Sequence, residues 1–280
     1  MRIWKFVLGI VAFAILLGFF LYFENNSVVV TNIEIKNGKV PAAFDGFKIL
    51  HLSDLHSKRF GQNQRTLVAL IKKSRPDIIV FTGDLVDREH YDAEADVILL
   101  EQAAKVAPVY YVTGNHEWWV GKFHVLEPNL VRAGVQVLRD DNTGITRKGQ
   151  TIRVIGIDDV ARDGSAYTME AAARTGLDIA AKGLPGEDFK ILLAHRPELF
   201  SVYGEYDVDL VLSGHTHGGQ IRLPFLGGLI APNQGFFPKY TSGTHKFGHM
   251  TVVINRGLGN SVVPQRIFNR PEIILITLRK

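Results

Sequence analysis

Short apolar runs, each ending in residues that can bind a metal ion, constrain the fold of this chain more than any other feature. The runs alternate with segments of helix-like spacing, and this alternation predicts an α/β fold in which helices cover the sheets. The runs with polar ends are FKILHLSDLH, DIIVFTGD, PVYYVTGNHE, TIRVIGIDD, FKILLAHRP and VDLVLSGHTH. A first strand, VVVTNIEIK, precedes them, and two late strands, HMTVVINRG and EIILITL, complete the chain.

The segments between the runs predict the helices. Helical spacing covers residues 63–74 and 94–106. An alanine-rich third helix covers Ala166–Lys182, and Gly183 and Pro185 would end it.

The interval Gly218–Gly248 is too rich in glycine for a helix. A loop of this length inside a compact domain is usually functional or mobile. Its Phe236-Phe237 pair would contact lipid or an acyl chain, or else pack on the protein's own surface.

Side chains that bind hard or borderline cations lie at the carboxyl ends of the runs, the edge of an open α/β sheet where ligands bind. They are Asp54, His56, Asp84, Asp87, Asn115, His116, Glu117, His195, His215 and His217. In an extended segment, residues i and i+2 point to the same side, so we expect Asp54 and His56 to face one metal together. The same spacing makes His215 and His217 neighbours in one cluster. His51 lies three residues before Asp54, on the opposite strand face, which favours a structural role.

The donor chemistry indicates two divalent cations. The chain contains no cysteine, which excludes thiolate sites and disulfides. Carboxylate, amide and imidazole donors suit Mn, Fe, Zn or Mg, and one carboxylate can bridge two such ions. A pair of cations activates a water molecule and neutralises the oxygens around phosphorus. His116 is the natural acid for the leaving group, because imidazole titrates near neutral pH. Asp87 would orient His116 or, alternatively, cap a helix.

The same residues form an ordered set of motifs: D-x-H at Asp54, G-D-x-x-D at Asp84, G-N-H-E at Asn115, a separate His195, and G-H-x-H at His215. This set resembles the calcineurin-like metallophosphoesterases. The resemblance implies a four-layer α/β/β/α sandwich of two mixed sheets. It also implies a phosphodiesterase or phosphatase in which a metal-bridging hydroxide attacks phosphorus.

The resemblance further implies a role for each donor. The first metal is held by Asp54, His56 and His217, the second by Asn115, His195 and His215, and Asp84 bridges the two. His116 contacts the scissile phosphate or its leaving group. Glu117 is expected to cap a helix or to support the ligands.

Two later segments, HGGQIRLP and NRGLGNS…PQRIFNRPEI, are similar to the bacterial membrane-anchored or exported branch of this family. Some members of that branch resemble enzymes that split UDP-2,3-diacylglucosamine, a lipid A precursor. Members often carry a twin-arginine export signal. This chain begins MRIWKF and lacks one.

The apolar run Phe6–Phe23 predicts an N-terminal transmembrane helix. Such a helix is about 27 Å long, close to the roughly 30 Å of a bilayer core, and Trp4 and Tyr22 lie where interfacial aromatic residues belong. The alternative is a cleaved signal peptide. The run is longer than the apolar part of such a peptide, and ENNS after it lacks a small-x-small cleavage site. We therefore predict an anchor at 1–24 and one metallophosphoesterase domain at 25–280.

Charge around the helix predicts its orientation. Arg2 and Lys5 precede it and Glu24 follows it, so the N-terminus is expected in the cytoplasm and the domain outside, on a single-pass inner or plasma membrane protein. Without these two basic residues the chain is nearly balanced in charge and has no basic block, so no nucleic-acid partner is expected.

The sequence leaves two other functions open beside a membrane-anchored phosphoesterase acting on a phosphodiester or pyrophosphate, possibly lipid-linked. One is a cytosol-facing UDP-2,3-diacylglucosamine pyrophosphohydrolase of lipid A synthesis. The other is a non-catalytic binder of a phosphorylated ligand, since fold alone does not fix function. The oligomeric state is not indicated.

Overall fold

A computed structural model describes residues 2–164, 168–232, 234–260 and 263–280 of the chain. Its strands are β1 (Val29–Lys36), β2 (Lys48–Leu52), β3 (Ile78–Thr82), β4 (Val109–Val112), β5 (Val135–Val137), β6 (Asp141–Arg147), β7 (Gln150–Gly156), β8 (Phe189–Leu193), β9 (Leu210–Ser213), β10 (Arg222–Leu223), β11 (Gly227–Gly228), β12 (Ile230–Ala231), β13 (Gly235–Phe236), β14 (Gly243–Phe247), β15 (Met250–Ile254) and β16 (Glu272–Arg279). Its α-helices are α1 (Arg2–Asn26), α2 (Arg65–Ser74), α3 (Ala93–Ala104), α4 (Asn115–Trp119), α5 (Phe123–Arg132), α6 (Met169–Ala180) and α7 (Phe200–Tyr203).

Two six-stranded mixed sheets contain most of these strands. The first has the order β1-β16-β2-β3-β4-β5, in which β2 to β5 are parallel and β16 runs antiparallel to β2. The second has the order β14-β15-β9-β8-β7-β6, with four parallel central strands and an antiparallel strand at each edge. Parallel central strands bring their carboxyl ends to one edge of each sheet.

Three buried clusters show how the layers stack. One cluster lies between the two sheets and joins residues such as Ile49 and Val80 of the first to Leu212 of the second. A second cluster packs α2, α3 and α5 on the outer face of the first sheet, and a third packs α6 and α7 on the second. The result is the expected four-layer α/β/β/α sandwich.

The predicted strands and helices are present, and most are shorter than predicted, although β16 extends one residue further, to Arg279. The helix expected at Ala166–Lys182 is α6, and residues 166 and 167 lie outside the described part of the chain. Helix α5 went unpredicted because Pro128 interrupts its pattern. The interval Gly218–Gly248 is only partly loop. It forms two short hairpins, β10–β11 and β12–β13, and then β14, an edge strand of the second sheet.

Helix α1 projects from the sandwich. Its segment Ile3–Asn26 is long and apolar enough to cross a membrane, and its most apolar stretch is not buried by the rest of the protein. The last turns are different, because they bond to the domain. Glu24 is buried and accepts a hydrogen bond from the backbone N of Asn269 at 3.0 Å. Asn25 Oδ1 accepts one from the backbone N of Arg266 at 2.9 Å.

Candidate metal centre

The predicted donors meet where the carboxyl edges of the two sheets face each other. Strands β2, β3 and β4 of the first sheet lead into Asp54 and His56, Asp84, and Asn115 and His116, respectively. Strands β8 and β9 of the second sheet lead into His195, His215 and His217. All but His116 are buried, with at most 6% of each side chain exposed. The cluster is therefore built from both sheets.

The donor atoms form two groups that share one carboxylate. Within each group the atoms lie within 4.8 Å of one another. These two groups are Asp54, His56, Asp84 and His217, and Asp84, His195 and His215. A third group, His56, Asp87 and His116, adjoins the first through His56. Asp84 Oδ2 lies 3.5 Å from His56 Nε2 and 3.2 Å from His195 Nε2, between the two groups. This is the position that a bridging carboxylate requires.

Unpartnered buried atoms indicate that the cluster suits cations. Among the described residues, Asp54 Oδ2 and Asn115 Oδ1 are buried without a hydrogen-bond partner, although buried polar atoms are normally paired. The Nε2 atoms of His56 and His217 lie 3.1 Å apart. Nitrogen and oxygen donors this close, with acceptor atoms left over, fit divalent ions of the Mn, Fe, Zn or Mg kind.

The geometry behind this convergence differs from the prediction. Strands β2 and β9 end at Leu52 and Ser213, so the D-x-H and G-H-x-H motifs are not extended. The donors in left-handed backbone conformations are Asp54 (φ 52°), His56 (φ 48°), Asp84 (φ 55°), His215 (φ 67°) and His217 (φ 48°). The argument from i, i+2 alternation was therefore wrong, although the pairs do share a cluster. Such conformations cost about 1–3 kcal/mol each and persist where surrounding structure enforces them.

One glycine shows how closely the two sheets approach each other at the site. A Cβ on Gly214 would lie 2.0 Å from Ser53 Oγ and 2.3 Å from Asp54 Oδ2. Gly214 follows β9 and Ser53 follows β2, so the contact joins the two sheets. The backbone N of His215 also donates to Asp54 Oδ1 at 2.9 Å. The glycine is needed here for space.

Glu117 holds the loops that carry the donors. Its carboxylate accepts hydrogen bonds from the backbone N atoms of Gly114 (2.6 Å), Asp84 (2.9 Å) and Leu85 (2.8 Å). These bonds cap the start of α4 and tie it to the loop after β3, the role the sequence suggested for Glu117. The backbone N of His116 in turn donates to Asp84 Oδ1 at 2.8 Å.

His116 lies beside this cluster with its ring 4.4 Å from that of His56. The backbone N of Arg88 donates to His116 Nδ1 at 3.2 Å, so in the neutral ring the proton is on Nε2. Asp87 Oδ2 lies 3.7 Å from His116 Nδ1, an electrostatic contact too long for a hydrogen bond. Asp87 does not cap a helix. Asp92 caps α3, by accepting from the backbone N of Ala95.

The electrostatics of the cluster favour bound positive charge. Burial raises the pKa of the Asp54 carboxyl, although the neighbouring His195 opposes this effect. Burial alone would lower the pKa of His195, but the Asp84 carboxylate outweighs it and raises the pKa to about 10. Burial, with Arg196 beside His215 and His56 beside His217, holds the pKa values of these two imidazoles well below their usual range. Both are therefore neutral, as metal ligands must be.

His51 and two residues close to the motifs, Arg59 and Trp119, lie outside this cluster. His51 is buried with Nε2 2.8 Å from Thr82 Oγ1, in a structural position. Arg59 is exposed and lies 3.8 Å from Asp92. The ring of Trp119 is 5.1 Å from that of His116, and half of its side chain is exposed, at the rim of the site.

Sequence reasoning missed two supporting residues. Arg196 pairs with both oxygens of Asp159 at 2.8 and 3.1 Å and places Nη1 3.5 Å from His215 Nε2. Its position directly after His195 was a signal. Asn269 Nδ2 donates to the backbone O of His217 at 2.7 Å from a distant part of the chain, and no local pattern marked it.

Comparisons with known proteins agree with this geometry. Residues 47–219 match the family model described as calcineurin-like phosphoesterase. The chain is 32% identical to "Uncharacterized metallophosphoesterase YkuE" of Bacillus subtilis over 269 residues, 94% of this chain and 89% of that one. It is 32% identical to "Phosphodiesterase YaeI" of Escherichia coli over 239 residues, 83% of this chain and 82% of that one. A crystal structure of TT1561 of Thermus thermophilus superposes with a TM-score of 0.50 and 15% identity, over 76% of this chain and 90% of that one, and shares the fold.

Proposed function

Because the chain belongs to the calcineurin-like phosphoesterase family and is a metal-dependent phosphoester hydrolase, we propose that it is a membrane-anchored phosphoesterase with a dinuclear metal centre. Its substrate is a phosphodiester or a pyrophosphate of a membrane or envelope molecule. The observation that carries the proposal is the pair of donor groups that share Asp84.

The proposed ligands follow these groups. Asp54, His56 and His217 bind one cation, Asn115, His195 and His215 bind the other, and Asp84 bridges them. The free Oδ1 of Asn115 supports its inclusion among the described donors. When bound, the two cations supply an activated water molecule and neutralise charge on the phosphate oxygens.

The chain's own acid is His116. With Arg88 bonded to Nδ1, the proton on Nε2 is available for the departing oxygen. The Asp87 carboxylate, 3.7 Å from Nδ1, stabilises the imidazolium form. Buried Glu117 and Arg196 touch the ligand loops and hold them in position.

The proposed anchor is helix α1. We keep the domain boundary expected from the sequence, with the anchor at 1–24 and the metallophosphoesterase domain at 25–280. Contacts of Phe20 and Leu21 with the domain support an uncleaved helix, because cleavage after the apolar run would remove them. Arg2 and Lys5 on the N-terminal side favour an extracytoplasmic domain.

The alternative is a cytosol-facing UDP-2,3-diacylglucosamine pyrophosphohydrolase. It requires the opposite topology, because UDP-linked lipid precursors are made in the cytoplasm. C-terminal fusions to alkaline phosphatase and to green fluorescent protein distinguish the two. Active alkaline phosphatase and dark fluorescent protein support the extracytoplasmic domain, and the reverse pattern supports the alternative.

Hydrolysis by the full-length protein in detergent, loaded with Mn²⁺, tests the proposed activity. The substrates are bis-p-nitrophenyl phosphate, p-nitrophenyl phosphate and UDP-2,3-diacylglucosamine. We expect metal-dependent turnover that Asp84→Asn lowers by about 100-fold or more, since the bridging ligand is lost. The control is Asp45→Asn, at an exposed site near the amino end of β2, with turnover unchanged. Bound metal without turnover on any substrate would favour a phospho-ligand binder.

A further inference from the structure

Large apolar side chains are exposed on the segment that follows His217. We call them, with one residue of a neighbouring loop, the apolar rim: Leu223, Phe225, Leu226, Phe236, Phe237 and Phe268. Phe225 is fully exposed, and the exposed fractions of Leu226 and Phe236 are 66% and 73%. Single exposed apolar residues are ordinary, but a group of this size marks an interaction surface.

Hydrogen bonds hold the backbone of the rim together. β10 pairs with β11, and Ile230 of β12 pairs with Phe236 of β13. The backbone N of Phe237 donates to the O of Leu229 at 2.9 Å, which joins the two hairpins. The loop carrying Phe268 joins through the backbone N of Arg222, which donates to the O of Ile267 at 2.9 Å. The rim is one bonded assembly, not a set of independent loops.

The rim is continuous with helix α1. The ring of Phe268 lies 5.5 Å from that of Phe20 in the helix. Gln265 Nε2 donates to the backbone O of Leu21 at 2.9 Å, and Asn269 bonds to Glu24. The loop that supports the rim therefore also holds the last turns of the proposed anchor, which is the point where α1 would leave the membrane.

The charge of this region suits an anionic lipid surface. Residues 210–271 contain no aspartate or glutamate. Lys239 and Lys246 are exposed and Arg222 and Arg270 are partly exposed, whereas Arg266 is buried and Arg256 pairs with Glu272. The rest of the chain carries all of its acidic residues. Arg270 also lies 4.7 Å from the ring centre of Phe23, at the end of the helix. Basic and aromatic residues without acidic ones are typical of surfaces that bind the headgroup region.

We propose that the apolar rim inserts into the headgroup–acyl boundary of the same bilayer that α1 crosses. The inference rests on the proposed anchor. Because the rim begins six residues after the ligand His217, its insertion brings the carboxyl edges of both sheets, with the metal centre, to the membrane surface. The substrate is then a phosphodiester or pyrophosphate in the headgroup of a bilayer lipid, reached without leaving the membrane.

Site-specific labelling of the full-length chain tests the insertion, and the absence of native cysteine makes every label unique. Phe225→Cys and Phe236→Cys carry an environment-sensitive nitrobenzoxadiazole probe in vesicles of phosphatidylcholine and phosphatidylglycerol. We expect a blue shift of their emission and its loss when nitroxide-labelled lipids are added. Ile179→Cys, at an exposed site on α6 over the second sheet, is the matched control and keeps its emission.

A label in the anchor separates the two possible failures. Phe13→Cys lies on α1 and is quenched if the helix is inserted. Quenching at Phe13 but not at Phe225 or Phe236 overturns the insertion of the rim and leaves the anchor intact. No quenching at Phe13 rejects the anchor and the inference together. Rim labels that are shielded from water only at high protein concentration, without quenching by the lipids, indicate that a second copy of the chain covers the rim. That result also overturns the insertion into the bilayer.

Activity tests the consequence for the substrate. The double variant Phe225→Ser with Phe236→Ser is expected to hydrolyse a p-nitrophenyl phospholipid in vesicles about ten-fold more slowly, while soluble bis-p-nitrophenyl phosphate is unaffected. A wild-type protein that cleaves only the soluble ester rejects a lipid substrate. Loss of both activities in the wild type would instead reject the proposed hydrolase.

Discussion

His116 is the proposed general acid, and the proton on its Nε2 would distinguish a catalytic site from a binding site. The tautomer of the neutral ring follows from one bond, because the backbone N of Arg88 donates to Nδ1 and leaves the proton on Nε2. An acid in this position assists an oxygen that leaves as an alkoxide much more than one that leaves as a stable phenolate. The effect of removing His116 therefore depends on the leaving group.

We expect His116→Gln to lower kcat by about 10²–10⁴-fold for alkyl esters and by much less for p-nitrophenyl esters. Bound Mn²⁺ stays unchanged, because the proposed ligands remain. Steady-state kinetics over a series of leaving groups measures this, with His124→Gln at an exposed site as the control. An equal loss for every leaving group would show that His116 acts in another way.

His51 links stability to pH. Burial lowers its pKa to about 3 from an ordinary value of 6.5, so the folded protein keeps it neutral while the unfolded chain binds a proton below 6.5. The unfolded state therefore binds more protons in this window, and stability falls as the pH drops from 6.5 towards 3.

The change is His51→Gln, which retains a donor for Thr82. We expect it to flatten the fall in unfolding free energy by up to about 1.4 kcal/mol per pH unit. Urea unfolding with EDTA present, at pH values between 4 and 7, measures the slope without metal release. His249→Gln, at an exposed position, should leave it unchanged. Parallel slopes for wild type and His51→Gln would contradict the account.

The clustering of the proposed donor residues was predictable from the sequence, but their conformations were not. Asp54 and His217 belong to short motifs with few alternative explanations. Alternation describes a strand, and both residues lie past a strand end in left-handed turns. Asn269 escaped prediction because its bond to His217 joins residues 52 positions apart.

Among the secondary-structure elements, the ends of β2 and β9 approach each other so closely that the space for a side chain is limited. Gly214 leaves no space for a side chain against Ser53 and Asp54. A methyl group there must push the two sheet edges apart or displace Asp54 from the cluster. The cost of overpacking a well-packed interior is typically about 1–3 kcal/mol.

We therefore expect Gly214→Ala to lower the unfolding free energy by about 1–3 kcal/mol or more and to weaken Mn²⁺ binding. Chemical denaturation and a Mn²⁺ titration measure the two effects. Gly186→Ala is the matched control, because nothing lies within 4 Å of its Cβ position. Normal stability and metal affinity in Gly214→Ala would mean that the sheets can separate freely at this edge.

The buried central strands were easy to predict, whereas the edges of the sheets were not. β8 and β9 are largely apolar, apart from Lys190 and Ser213, and are buried throughout. β14 lies at an edge with alternate residues half-exposed, in a glycine-rich interval that reads as loop. β14 is a strand because it pairs with β15, and the residues of β14 alone do not indicate that pairing.

For the molecule as a whole, the candidate metal centre takes its donors from both sheets. Asp84 comes from the first sheet and His195 from the second, and their side chains lie 3.2 Å apart. We therefore expect cations bound there to hold the two sheets together in the folded state. Binding to the native state alone stabilises it by mass action.

Metal removal is therefore expected to lower Tm. With free Mn²⁺ at about 100 times its Kd, each site contributes about 2.7 kcal/mol, which EDTA abolishes. Thermal unfolding of the detergent-solubilised protein with Mn²⁺ or EDTA measures this. Asp84→Asn should show little difference between the two conditions. A wild-type Tm that is indifferent to EDTA would argue against cations that hold the two sheets together.

The position of α1 beside the apolar rim could not be predicted from the sequence. The anchor and the rim are about 200 residues apart, and the loop with Gln265 and Phe268 brings them together. The apolar run and the Phe236-Phe237 pair each suggested lipid separately. That the helix and the Phe236-Phe237 pair lie on the same side of the molecule depends on tertiary packing.

The central claim is a pair of cations bridged by Asp84. Electron paramagnetic resonance of the full-length protein with two equivalents of Mn²⁺ tests it most directly, together with the amount of metal bound. The account predicts two Mn²⁺ per chain with an exchange-coupled spectrum, as expected for ions about 3.5–4 Å apart, and loss of that coupling in Asp84→Asn. A single bound ion, or two ions with the spectrum of isolated Mn²⁺, would contradict it.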